Sequence, residues 1–103
     1  CRDIVIPART KYSTHIFHQY TIRVLNGKRD KLKEYLQSLK IPSMIYYPVP
    51  IHLQKAYQYL GYSKGDFPVT ERLCNEVLSL PVCPELDREQ TDYIISSVLK
   101  FFD

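Results

Sequence analysis

Glycine, cysteine, long apolar runs and a dominant charge are all scarce in this sequence, and each scarcity removes a class of function. The three glycines, at positions 27, 61 and 65, are too scattered to form a glycine-rich phosphate loop, and no Gly-X-Ser-X-Gly nucleophile elbow occurs. Cys1, Cys74 and Cys83 form no Cys-X-X-Cys pair and have no metal-ligand spacing. Their odd number speaks against a complete disulfide framework and favours a reducing compartment. The apolar runs fall far short of the ~20 residues a membrane span needs, and no charged-then-apolar leader opens the chain. Fourteen Lys and Arg against eleven Asp and Glu leave a formal charge of +3, too mild to name an acidic partner. The one basic cluster, Lys28-Arg29-Lys31-Lys33, is interrupted by Asp30 and followed by Glu34, which reads as the solvated face of a helix.

With 103 residues, 45% of them hydrophobic, the chain is expected to form a single domain with one core, residues 1–103. It begins with Cys and enters the strand-like run Ile4-Val5-Ile6 almost at once, which suggests a piece of something longer. From Ile16 to Leu25 the residues alternate, with Ile16, His18, Tyr20, Ile22 and Val24 on one side, predicting a strand. Asn26-Gly27 supplies a turn. Leu32, Tyr35, Leu36 and Leu39 then make the stripe of an amphipathic helix over Asp30–Leu39, ended by Pro42. Met44–Tyr47 reads as a further strand, closing a βαβ-like unit.

A short helix from His52 to Leu60 is expected to stop at Gly61. A second opens at Asp66 as cap, with Pro68 in its first turn and Val69, Leu73 and Val77 recurring every fourth residue. Leu80-Pro81-Val82 is read as a short extended or turn segment. The last helix starts with Asp87 and Gln90 in capping-box spacing and carries Ile94, Ile95, Val98, Leu99 and Phe102 on one face. The fold class is therefore α+β, a small sheet of about three strands covered by helices.

The most suggestive stretch is Tyr46-Tyr47-Pro48-Val49-Pro50-Ile51-His52-Leu53-Gln54. Two prolines fix φ and withhold N–H groups, so neighbouring side chains point in set directions, and two tyrosines offer flat apolar faces with polar tips suited to sugars and nucleobases. Other chemistry is thin. His15 and His18 sit at an odd spacing that sends them to opposite faces of a strand, so they do not share a metal ion, and His18 is expected to be partly buried and bonded to a neighbour. Cys74 is expected to be buried as a small hydrophobe. The eight lysines fall on polar helix faces or in loops, away from the desolvation that activates a Schiff-base amine. No complete active site is apparent.

Four ordered motifs nevertheless carry a resemblance: His18-Gln19-Tyr20-Thr21-Ile22-Arg23-Val24; Tyr46 to Gln54; Gly65-Asp66-Phe67-Pro68-Val69-Thr70-Glu71-Arg72; and Leu78-Ser79-Leu80-Pro81 with Pro84-Glu85-Leu86. From about Ile16 onward the chain resembles the C-terminal domain of the DegT/DnrJ sugar aminotransferases. The resemblance implies the small domain of a fold-type I transaminase, with residues 1–15 leading in from a missing large domain. It implies an enzyme dependent on pyridoxal phosphate (PLP) that moves an amino group, usually from glutamate, to a nucleotide-linked keto-sugar in surface-polysaccharide or related amino-sugar biosynthesis. The enzyme so implied is a cytoplasmic homodimer, with no membrane or nucleic-acid partner.

The Schiff-base lysine and the phosphate-binding groups of such enzymes belong to the large domain, so this segment alone is expected to bind no cofactor and to be inactive. The resemblance places Tyr46 and Tyr47 against the substrate. His52 is the next candidate, either binding a substrate hydroxyl or phosphate or bracing the loop. Relatives often have His in place of Tyr46, which leaves ring stacking or a hydroxyl hydrogen bond as its role. Arg23 is read as half of a surface ion pair, and Glu71 as a helix-dipole partner. The competing readings are a free-standing α+β module for RNA or a small metabolite, stacking ligands on Tyr20, Tyr46 and Tyr47, and a purely dimerising domain.

Overall fold

A computed structural model describes residues 2–103. Three antiparallel strands form the sheet in the order β1 (Ile4–Val5), β2 (Tyr20–Val24) and β3 (Val77–Leu80), with Ile4 opposite Val24 and Ile22 opposite Leu78. That register sends Ile22, Val24 and Leu78 to one face. There α1 (Arg29–Ser38) contributes Leu32 and Leu36, α3 (Arg88–Lys100) contributes Val98, and Ile41 completes the core. The opposite face is polar, with Thr21 and Ser79 sharing a hydroxyl hydrogen bond of 2.8 Å and Arg23 meeting Glu76 of α2 (Pro68–Glu76) at 2.7 Å. The fold class is the expected α+β, and three is the expected number of strands.

Two of the three strands are not the ones anticipated in full. β2 starts only at Tyr20, because Phe17 adopts a left-handed φ of 46° that no strand tolerates. Ile16 is left 90% exposed and His18 is also exposed, not partly buried. Met44–Tyr47 shrinks to one bridge, in which Met44 and Ser79 exchange hydrogen bonds of 3.0 and 2.8 Å. Pro42 on one side and Pro48 and Pro50 on the other prevent its extension. Val77, expected to continue a helix, instead begins β3, where cross-strand pairing with β2 outweighs the four-residue spacing. Since β3 runs antiparallel both to β2 and to the Met44 segment, the latter two are parallel with β3 between them. The βαβ-like unit is a split one.

Local signals elsewhere act as anticipated at some positions and not at others. Asn26 and Gly27, with φ of 58° and 66°, turn the chain between β2 and α1. Asp87 and Gln90 form the reciprocal capping box of α3. The stretch after the proline corner winds into two 3₁₀ turns, Ile51–Leu53 and Lys55–Leu60, and stops at Gly61, φ 76°. Asp66 does not cap α2: its carboxylate accepts the Ser63 N–H at 2.7 Å, and Phe67 occupies the N-cap. The basic cluster is not one solvated face either. Arg29 is buried, its Nη1 donating to the Cys74 and Val77 carbonyls at 3.0 and 3.3 Å, so it closes the C-terminal end of α2.

Candidate functional site

The tyrosine bend hangs between two anchors, and both stand on one continuous piece of chain. At its near end, Met44 is bonded twice to Ser79 of β3. At its far end, the His52 ring is 8% exposed and packs on Phe67, ring centroids 4.8 Å apart, while its Nε2 lies 3.0 Å from Glu71 Oε1 on α2. Helix α2 runs directly into β3 at Glu76–Val77, so both anchors share a frame. Between them Pro48 and Pro50 fix φ, Pro50 is buried, and Gln54 reaches back to donate to the Val49 carbonyl at 3.3 Å.

With its polar groups and prolines turned to anchoring, the bend presents its rings outward: Tyr46 is 50% exposed and Tyr47 73%. Tyr46 lines a cleft of about 310 Å³ whose wall also includes His18, Met44, Ser79, Cys83 and Leu86. The Tyr47 ring stands outside that cleft in solvent. The two tyrosines are thus neighbours on one exposed bend, while His52 is buried at its far end, with Glu71 as partner. His52 is thus engaged with Glu71 and Phe67 within the structure.

Glu71 gathers more than a helix-dipole contact. Its Oε1 accepts the Gly65 N–H at 2.7 Å as well as His52 Nε2. A carboxylate cannot donate, so in this contact His52 donates from Nε2. The Gly65 amide above all, with His52 and the Phe67 amide, holds the Glu71 carboxyl below its ordinary range against the opposing cost of burial. Nothing local marks the His52–Glu71 pairing, since the partners are nineteen residues apart. Cys74 is buried, as anticipated, whereas Cys83 is exposed at the cleft mouth with its thiol donating to the Glu85 carboxylate.

The model of the DegT/DnrJ/EryC1/StrS aminotransferase family matches residues 2–99. The chain belongs to that family. It is 42% identical over 99 residues to a pleiotropic regulatory protein of Geobacillus stearothermophilus, covering 96% of this chain and 26% of the relative. It is 41% identical over 88 residues to a UDP-N-acetyl-3-dehydro-alpha-D-glucosamine 3-aminotransferase of Acidithiobacillus ferrooxidans, covering 85% and 23%. DesV of S. venezuelae, solved in complex with a ketimine intermediate, superposes with a TM-score of 0.88 at 32% identity, over 96% of this chain and 26% of that one. The chain thus spans about a quarter of the length of these proteins.

The residues present do not by themselves build a site for PLP. None of the eight lysines is buried, Lys28 being the one paired with Asp3, and the three glycines sit in separate turns. A desolvated amine and a phosphate cradle are both missing from the described residues.

Proposed function

We propose that this chain is the small C-terminal domain of a PLP-dependent aminotransferase that transfers an amino group, from glutamate, to the keto carbon of a nucleotide-linked sugar. In this reading the domain forms one wall of the substrate cleft. Tyr46 and Tyr47 meet the sugar nucleotide by ring stacking and hydroxyl hydrogen bonds, and His52 acts by holding the bend that carries them. The cofactor and its lysine come from the remainder of a cytoplasmic protein that serves amino-sugar or surface-polysaccharide biosynthesis. Two copies complete each site.

The observation that carries the reading is the pair of solvent-facing tyrosines on a bend locked from both ends. Burial stabilises a fold by taking apolar rings out of water, whereas here the prolines and the His52–Glu71 pair hold the rings in water. A second observation supports incorporation into a larger body. The core face of the sheet continues past Val98 into an apolar groove of about 440 Å³, lined in part by Ile4, Ile6, Tyr20, Leu80, Ile95 and Leu99.

The test is made on the full-length protein. Visible absorbance of lysine-bound PLP that bleaches with glutamate is expected, and Tyr47→Ala should raise KM for the keto-sugar nucleotide about ten-fold or more in an intact dimer. A protein that takes up no PLP, or a Tyr47→Ala enzyme with unaltered sugar kinetics, would refute the proposal.

A further inference from the structure

The cluster beneath the bend is more elaborate than a helix start requires. Glu71 lies in the first turn of α2, where a carboxylate facing solvent would already satisfy the helix dipole. Its side chain is instead 14% exposed and turned toward the bend, and a single oxygen takes two donors from different segments. His52 Nε2 belongs to the 3₁₀ turn that follows Tyr47 by five residues, and the Gly65 amide belongs to the loop that leads back into α2. Phe67 joins the same unit, packing on His52 at a tilt of 57° and meeting Tyr62 edge-on at 5.0 Å.

The other anchor, at Met44, consists of backbone bonds to β3 and does not depend on side-chain identity. Removing the Glu71 carboxylate therefore loosens one end of the bend, leaving His52 only its packing on Phe67, while the other stays fixed. Prolines keep the intervening residues stiff, so release at His52 swings the tyrosines as a lever rather than melting them. A hydrogen-bonded contact placed to hold a neighbouring side chain in reacting geometry affects binding out of proportion to its effect on stability.

We propose that Glu71 is a positioning residue for the sugar-nucleotide site: through His52 it sets the direction in which Tyr46 and Tyr47 point. The inference rests on the tyrosines being the substrate-facing rings. Glu71 touches no reacting atom, and its effect is confined to the half of the reaction in which the sugar binds.

Full-length protein carrying Glu71→Ala is compared with Glu71→Gln and Tyr47→Ala, the two half-reactions being followed separately. Glu71→Ala is expected to raise KM for the keto-sugar nucleotide about ten-fold with the glutamate half-reaction unchanged. Glu71→Gln, whose amide oxygen still accepts from Gly65 and His52, should recover most of the loss. Equal losses in both half-reactions, or an unaltered sugar KM beside a raised one in Tyr47→Ala, would overturn the inference and leave the functional reading standing.

If Tyr47→Ala itself has no effect, the functional reading fails and the sugar-site role with it, and amide exchange decides what remains, whether Glu71 holds the bend. Faster exchange in Glu71→Ala confined to residues 45–54 supports it, and unchanged exchange there overturns it. Should Glu71→Ala not fold, Glu71→Asp, whose carboxylate falls short of His52 by one methylene, takes its place with the same expected split.

Discussion

The two halves of this molecule are held together by different physics. The sheet with α1 and α3 is held by apolar burial: Ile22, Val24, Leu32, Leu36, Ile41, Leu78 and Val98 form one dry cluster. The segment from Pro42 to Leu73 sends only the half-buried Ile45 against that cluster, and its two buried residues are Pro50 and His52. A core is tolerant of hydrophobic exchange as long as volume is kept, and it resists displacement because every member touches several others. A bend held by two backbone bonds, two prolines and one His–Glu pair has few contacts to lose, but each one is directional. One half makes the fold, and the other spends little of its sequence on stability and much on fixing where two rings point.

Substituting one residue from each half gives the sharpest separation. Leu36→Ala removes a side chain with no solvent exposure from the centre of the cluster and should lower unfolding stability by about 2–5 kcal/mol. Tyr47→Ala, on a ring 73% exposed, should change stability by less than about 0.5 kcal/mol. Urea unfolding of both variants measures the difference. Comparable losses would mean that the bend belongs to the core after all.

That division also explains what could be read in the sequence. α1, the Asn26-Gly27 turn and the capping box of α3 were legible because their determinants lie within one or two turns of chain: the Leu32/Leu36 stripe, two residues tolerant of positive φ, and the Asp87–Gln90 reciprocity. β3 was hidden because Val77 continues the spacing of Val69 and Leu73, and only its pairing with Arg23, far away in sequence, makes it a strand. Arg29 carried the same concealment. Its neighbours are charged, as on a solvated face, while the carbonyls it reaches belong to residues 74 and 77. The two prolines marked the stiff bend that carries Tyr46 and Tyr47, but the His52–Glu71 pair at its end could not be read, since Glu71 reads locally as an ordinary first-turn acid.

A smaller effect, confined to the bend, should come from acid. The Gly65 amide first, then His52 and the Phe67 amide, lower the Glu71 pKa from its ordinary 4.5. A carboxyl whose folded pKa is depressed contributes stability that is complete above the unfolded value and is lost as pH falls through the folded one. Amide protection factors at residues 45–54 should therefore hold steady down to about pH 4.5 and decline below it, before those of Leu36 and Leu78 change. Simultaneous loss of protection in both regions would erase the distinction between them.

The smallest expected change lies where the two halves join. α1 ends with Lys40 in the left-handed region, φ 60°, with Lys40 N donating to Gln37 O at 3.0 Å and Ile41 N to Leu36 O at 2.9 Å. This is a Schellman closure, and Ile41, 4% exposed, supplies its apolar contact. A side chain in that conformation costs about 1–2 kcal/mol that glycine avoids. Glycine in turn loses about 0.5–1 kcal/mol more backbone entropy on folding, and removing a cation from a helix C-terminus forfeits about 0.3 kcal/mol. The first term exceeds the other two by little, so Lys40→Gly should raise unfolding stability by several tenths of a kcal/mol, up to about 1 kcal/mol. Because Ile41 is locked in the core and Met44 is tied to Ser79, the gain should stay on the core side and leave the sugar KM of the proposed full-length aminotransferase unchanged. A stabilised Lys40→Gly variant with altered sugar binding would show that the orientation of the bend is set from α1 as well as from α2, and that two anchors are not enough to describe it.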